Sequence, residues 1–401
     1  MAGMRGLSVV LAAALLALAL VTSAAFAKGG RGDENLGFGY GKDVRYARAI
    51  GFCNVWEKQE ARYANCLSNA LFSLVKGRNS ATEIPKIDQW VSTQTGYLPA
   101  HCHILMHAVG RRYAASVHLT IGKLLDYLPR SNSANCAAGF GHGLLMELAP
   151  QIGSLSPEQA AKACAGAQTR YERYSCTHGE GHAYMRLYGE QLPYALHACR
   201  LLGPDNAGDC AAGAFHDYWI AVAGLDSAKK PSDPITSPRI LCAKESGGFV
   251  RGCWYRALLE RPPAKPIKTV GDIYRQCRGL HGTQRSGCVI ASVVVAADDP
   301  FTEMDLCVAM RRPGAADCVR GIRVADLNES PRSQQVQLIR QCANVFHGAQ
   351  NTCYRWLGMT LNVITNGKFA DDGCNELVFD ATRKACSEGA DAYEGPLETF
   401  S

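Results

Sequence analysis

The stretch Leu196-His197-Ala198-Cys199-Arg200-Leu201-Leu202-Gly203-Pro204-Asp205-Asn206-Ala207-Gly208-Asp209-Cys210-Ala211-Ala212 holds the plan of the whole chain. Helix-forming residues run to Leu202, the Gly203-to-Asp209 segment breaks the pattern, and Cys210-Ala211-Ala212 opens a second helix. A Cys199–Cys210 disulfide would tie the last turn of one helix to the first turn of the next. In the chain-entropy model a loop that short gains ~3 kcal/mol at most.

Working outward, the same C-x10-C spacing recurs at Cys242 and Cys253, Cys277 and Cys288, Cys307 and Cys318, and Cys342 and Cys353. One extra residue separates Cys164 from Cys176 and Cys374 from Cys386, and two extra separate Cys53 from Cys66. Successive second cysteines lie 30 to 43 residues apart, a period typical of stacked helix pairs. The expected fold is all-α: a disulfide-stapled helix-pair repeat solenoid of about ten repeats of ~35 residues. Cys102 and Cys136 occupy second positions, but Val91 and Leu125 stand where their partners should be. These two cysteines are therefore expected to pair with each other.

Ser156-Pro157-Glu158-Gln159 has the cap, first-turn proline and reciprocal glutamine that open a helix. Val289 to Ala296 is the most strand-like run, yet it follows Cys288 where the repeat requires a helix, and we read it as a buried one. Pro231 to Pro238 and Pro262 to Pro266 read as loops, the second as a soft boundary.

The N-terminus has the features of an export signal. Met1 to Arg5 is positive, Leu7 to Val21 is apolar, and Ala25-Phe26-Ala27 offers a cleavage site. Residues 1–27 are accordingly expected to be a signal peptide, and residues 28–45, rich in glycine, a flexible leader. The Gly37-x-Gly-x-Gly-Lys42 run lacks the spacing and the hydroxyl residue of a phosphate loop. Helical repeats carrying a histidine cluster follow over 46–260, and structural or capping repeats over 261–401. Eighteen cysteines, an even number, suit disulfides in an oxidising compartment, so the chain is expected to be secreted or periplasmic. After signal removal no run is long enough to span a membrane. The net charge of +6 is scattered, without the basic stripe that nucleic-acid binding requires.

Nine of the eleven histidines fall between residues 101 and 216, and they keep step with the repeat. His142, His182 and His216 each lie six residues after a second cysteine, and His107 lies five after. His103 with His107, and His178 with His182, are four apart and share a helical face. These six, His103, His107, His142, His178, His182 and His216, are the expected ligands of a transition metal. With every cysteine oxidised, imidazole donors point to copper or zinc, and iron is also compatible. Met106, Met146 and Met185 lie in the same helices; thioether would favour copper, although one methionine per helix is ordinary core filling.

Parallel helices put equivalent positions ~8–10 Å apart, so a shared ion requires a tightly curved array. Glycines crowd the region, and the one three residues after the second cysteine (Gly139, Gly179, Gly213) recurs as Gly321 in a repeat without histidine. That recurrence reads as packing. Glu147, Glu180 and Asp217 are the nearby carboxylates. Glu180, between two histidines in His178-Gly179-Glu180-Gly181-His182, is the expected acid or base should the centre be catalytic, with oxidation and metal-assisted hydrolysis both open. The competing reading is a non-catalytic scaffold that binds a protein or small ligand, its histidines serving packing. The substrate and the protein partner are not legible in the sequence.

Overall fold

The computed structural model describes residues 44–129, 136–167, 170–223, 234–297, 299–311, 314–323, 332–364, 374–375 and 377–392. The expected signal peptide, nearly all of the leader and the Gly37–Lys42 run lie outside the described residues. Within them the chain is helical, with no strand.

The first half comprises α1 (Val44–Gly51), α2 (Glu60–Val75), α3 (Ser80–Ser92), α4 (Tyr97–Val117), α5 (Leu124–Tyr127), α6 (Cys136–Ile152), α7 (Pro157–Ala163), α8 (Arg170–Leu187), α9 (Leu192–Arg200) and α10 (Pro204–Ala223). The second comprises α11 (Pro238–Cys242), α12 (Gly248–Glu260), α13 (Val270–Gln276), α14 (Gly282–Val294), α15 (Pro300–Ala309), α16 (Ala315–Arg320), α17 (Arg332–Asn344), α18 (His347–Ile364) and α19 (Asp380–Ala392). The described residues from Ala49 onward group into one compact unit.

All nine disulfides join the cysteines paired by spacing, Cys102–Cys136 included. Cys102–Cys136 is the odd one: it links two long helices, α4 and α6, directly. In most of the other pairs the first cysteine lies in a shorter segment and the second within a longer helix; Cys307 in α15 and Cys318 in the shorter α16 reverse that order. The second helix begins earlier than the sequence suggests. Gly203 takes φ +86°, α10 starts at Pro204, and Cys210 lies in its second turn. A proline at the first helical position loses no hydrogen bond, so of the expected Gly203–Asp209 breaker only Gly203 lies outside the helix. At α7, Ser156 caps the helix with Gln159 reciprocating. The Val289 run is helical within α14, with Val289, Ile290, Val293 and Val294 all buried.

The longer helices pack in series, α4 on α6, α6 on α8, α8 on α10, α10 on α12 and α12 on α14, with the row continuing through α16 and α18 to α19. Trp219, Trp254, Trp356, Phe140 and Phe215 fill the interior, each removing 150–250 Å² from water as is typical of aromatic side chains. Glycines set how near these helices come. A Cβ at Gly139 would overlap the carbonyl oxygen of His103, and one at Gly213 that of His178. The backbones of α4 and α6, and of α8 and α10, therefore touch. No helix among the described residues is long and apolar enough to cross a membrane.

Candidate metal centre

Helix α4 brings His103 and His107 to one face, α6 brings His142, α8 brings His178 and His182, and α10 brings His216. All six rings meet. Within α4 and within α8 the paired rings lie 4.9 Å apart between centroids. Between helices the separations are 5.0 Å for His103–His142, 5.0 Å for His142–His178, 4.8 Å for His107–His182 and 5.0 Å for His182–His216. Even α4 and α10 meet, His103 lying 6.1 Å from His216. The rings lie closer together than the ~8–10 Å between ordinary packed helix axes, and the glycine crossings bring the backbones of α4 and α6, and of α8 and α10, into contact. Donor atoms of His103, His107 and His142 lie within 4.8 Å of one another, as do those of His142, His178 and His182.

The cluster is enclosed. His107, His142, His178, His182 and His216 are all buried, His107 most exposed among them at 7%; His103 is half-buried. Burial, reinforced by the neighbouring imidazoles and the Arg256 guanidinium, holds His107, His142, His178 and His216 well below the usual histidine range. They are therefore neutral, the form that offers a lone pair.

A ring of polar groups surrounds them. His142 Nε2 donates to the backbone oxygen of Ser175 at 2.9 Å, and its Nδ1 faces His107 Nε2 at 3.3 Å. His182 Nδ1 lies 2.9 Å from Asp217 Oδ1, with the N–H out of line for a regular hydrogen bond. His216 Nε2 lies 3.3 Å from Glu260 Oε1. Arg256 Nη2 is 3.3 Å from His178 Nε2, and its Nη1 pairs with Glu260 at 3.4 Å.

Arg256, Glu260 and Ser175 were not picked out from sequence. Arg256 had a signal: three residues after Cys253, it replaces the glycine that stands there as Gly139, Gly179 and Gly213. A charge at a position that is glycine in three of the histidine-bearing helices is the signal the sequence carried.

Glu180 lies elsewhere. Two residues are 200° of helix, so Glu180 faces away from His178 and His182. Its Oε1 is 3.0 Å from Cys164 Sγ, and burial pushes its carboxyl up to about 8. A disulfide sulfur has no proton, so the protonated carboxyl is the donor. Cys164, Cys176 and Glu180 are close enough to hold an ion, but the two sulfurs are bonded to each other. Glu147 pairs loosely with Arg111 at 3.7 Å, and Met106, Met146 and Met185 are core residues. The carboxylates that reach the imidazoles are Asp217 and Glu260. No family model, no curated protein and no solved structure matches this chain.

Proposed function

We propose that the chain is an exported, transition-metal-binding protein whose ion is held among the buried imidazoles of α4, α6, α8 and α10. One observation carries the reading: six histidines from four successive members of the packed row, α4, α6, α8 and α10, spaced over 114 residues of sequence, meet with rings 4.8 to 6.1 Å apart. A packing histidine needs one hydrogen-bond partner, and nothing in packing calls for five more beside it. Buried polar atoms left unpaired cost ~1–3 kcal/mol each, and an ion repays that cost by binding the lone pairs.

The donors are imidazole nitrogens with carboxylates behind them, which suits copper or zinc and also accommodates iron. Nine disulfides fit an oxidising compartment, and the first 27 residues supply the export features. The test is elemental analysis of protein isolated from that compartment without refolding, followed by thermal melts with and without added copper, zinc or iron. A metal near one equivalent or above, and a raised midpoint, is expected. Should no metal accompany the protein and none shift the melt, the reading fails and the scaffold alternative takes its place.

A further inference from the structure

The metal reading leaves open which nitrogens hold the ion, and the groups behind the rings decide it. A neutral imidazole carries one proton and one lone pair, and the partner of one nitrogen dictates which atom is left to ligate. A carbonyl oxygen only accepts. The Ser175 oxygen, 2.9 Å from His142 Nε2, therefore keeps the proton on Nε2 and leaves the lone pair on Nδ1. Asp217 lies 2.9 Å from His182 Nδ1, out of line for a regular hydrogen bond, and its charge draws the proton to that nitrogen and frees Nε2, which is buried and makes no hydrogen bond. Glu260, 3.3 Å from His216 Nε2, leaves Nδ1, likewise buried without a hydrogen bond.

The fourth nitrogen is already in place. His107 Nε2 is 3.3 Å from His142 Nδ1, and two ligands of a tetrahedral ion with bonds of ~2.0–2.1 Å stand about 3.3 Å apart. Imidazoles on such an ion have ring centres roughly 5 Å from one another. The observed values are 5.4 Å for His107–His142, 4.8 Å for His107–His182, 5.2 Å for His142–His182 and 5.0 Å for His182–His216. His107–His216 is wider, at 6.0 Å.

Proximity alone would also recruit His103 and His178, which belong to the two histidine triads whose donor atoms lie within 4.8 Å of one another. Direction argues otherwise for His178. A guanidinium can only donate, so Arg256 at 3.3 Å from His178 Nε2 draws that lone pair. His103 is the most exposed of the six rings, and α4 already supplies His107. Resting on the metal reading, we propose that one ion is held tetrahedrally by His107 Nε2, His142 Nδ1, His182 Nε2 and His216 Nδ1, with Asp217 and Glu260 as positioning residues. Each ligand comes from a different helix and from the same register, five or six residues after a second cysteine.

Zinc(II) is the probe, added to the intact chain with its disulfides formed. X-ray absorption should show four imidazoles at ~2.0 Å, with one zinc per chain. Two-bond proton–nitrogen correlation of the zinc form should show His182 metallated at Nε2 and His216 at Nδ1, a readout that no packing role would produce and that needs no variant. His103→Ala and His178→Ala should retain zinc, whereas alanine at His107, His142 or His216 should lose it. Asp217→Asn and Glu260→Gln should raise the zinc Kd about 10- to 100-fold while helicity is unchanged. Two zincs per chain, six imidazoles on one ion, metallation at the opposite nitrogens, or no zinc uptake with copper or iron still bound would overturn the proposal and leave the metal reading standing. Failure to bind any metal would overturn both.

Discussion

Helices α6, α8 and α10 and the later helices α14 and α18 each carry the second cysteine of a disulfide and part company six residues after it. In each, the residue six places after the second cysteine is buried: His142, His182 and His216 in the first group, Val294 and Met359 in the second. The stapled scaffold thus needs a filled interior there, and aliphatic side chains supply it. Imidazole costs more in that position, because its nitrogens must be desolvated. The glycine crossings do not distinguish the regions, since a Cβ at Gly321 would overlap the Ile290 carbonyl and one at Gly389 that of Arg355. Close helix approach belongs to the scaffold and histidine to the centre.

That contrast breaks most sharply on the histidines themselves. His182→Ala should reduce bound metal to less than about a tenth of wild type, measured by elemental analysis. Met359→Ala should keep its metal while losing ~2–5 kcal/mol of stability to the cavity. Equal metal loss in both variants would mean that the centre depends on global packing. A smaller effect is expected at the crossings. Gly213→Ala and Gly389→Ala should each lower the thermal midpoint, since overpacking costs ~1–3 kcal/mol or more. Zinc titration should show weakened binding only for Gly213→Ala, which pushes α8 from α10.

Acid sensitivity should also reside in the histidine region. The folded-state pKa values of His107, His142, His178 and His216 are depressed by burial, so below the usual value of 6.5 the unfolded chain binds protons that the folded one does not. Stability of metal-free protein is then complete above that pH and falls as the solution is acidified. A urea midpoint unchanged between neutral pH and about pH 5 would contradict this. The least effect on the centre is expected from Glu180→Gln. With a folded value raised from 4.5 to about 8, Glu180 binds its proton more tightly folded than unfolded, and its contribution is lost as pH rises between those two values. The variant should soften the fall in melting midpoint over that window and leave metal content untouched.

Much of the architecture was legible because it is local. A cysteine period reports helix pairs, and the two positions filled by Val91 and Leu125 left Cys102 and Cys136 to each other, as the structure has them. Helix starts were less legible: the Gly203–Asp209 run looks like a loop, but Pro204 is a good first helical residue and α10 begins there. Glu180 misled through proximity in sequence, since a residue midway between two histidines four apart points the other way on a helix. Arg256 and Glu260 were hidden for the opposite reason, lying 40 residues or more beyond His216 or His178 in sequence and beside them in space.

By itself, then, the sequence determined the helical class, the disulfide map and the shared register of the histidines, all of which depend on spacing along one chain. The tertiary structure decided that six rings form a single cluster rather than four separate pairs or singles, and that Asp217 and Glu260, not Glu180, stand behind them. Those outcomes depend on which helices pack side by side and how closely glycine lets backbones approach. Neither quantity is carried by any one segment, because both are set by packing between helices.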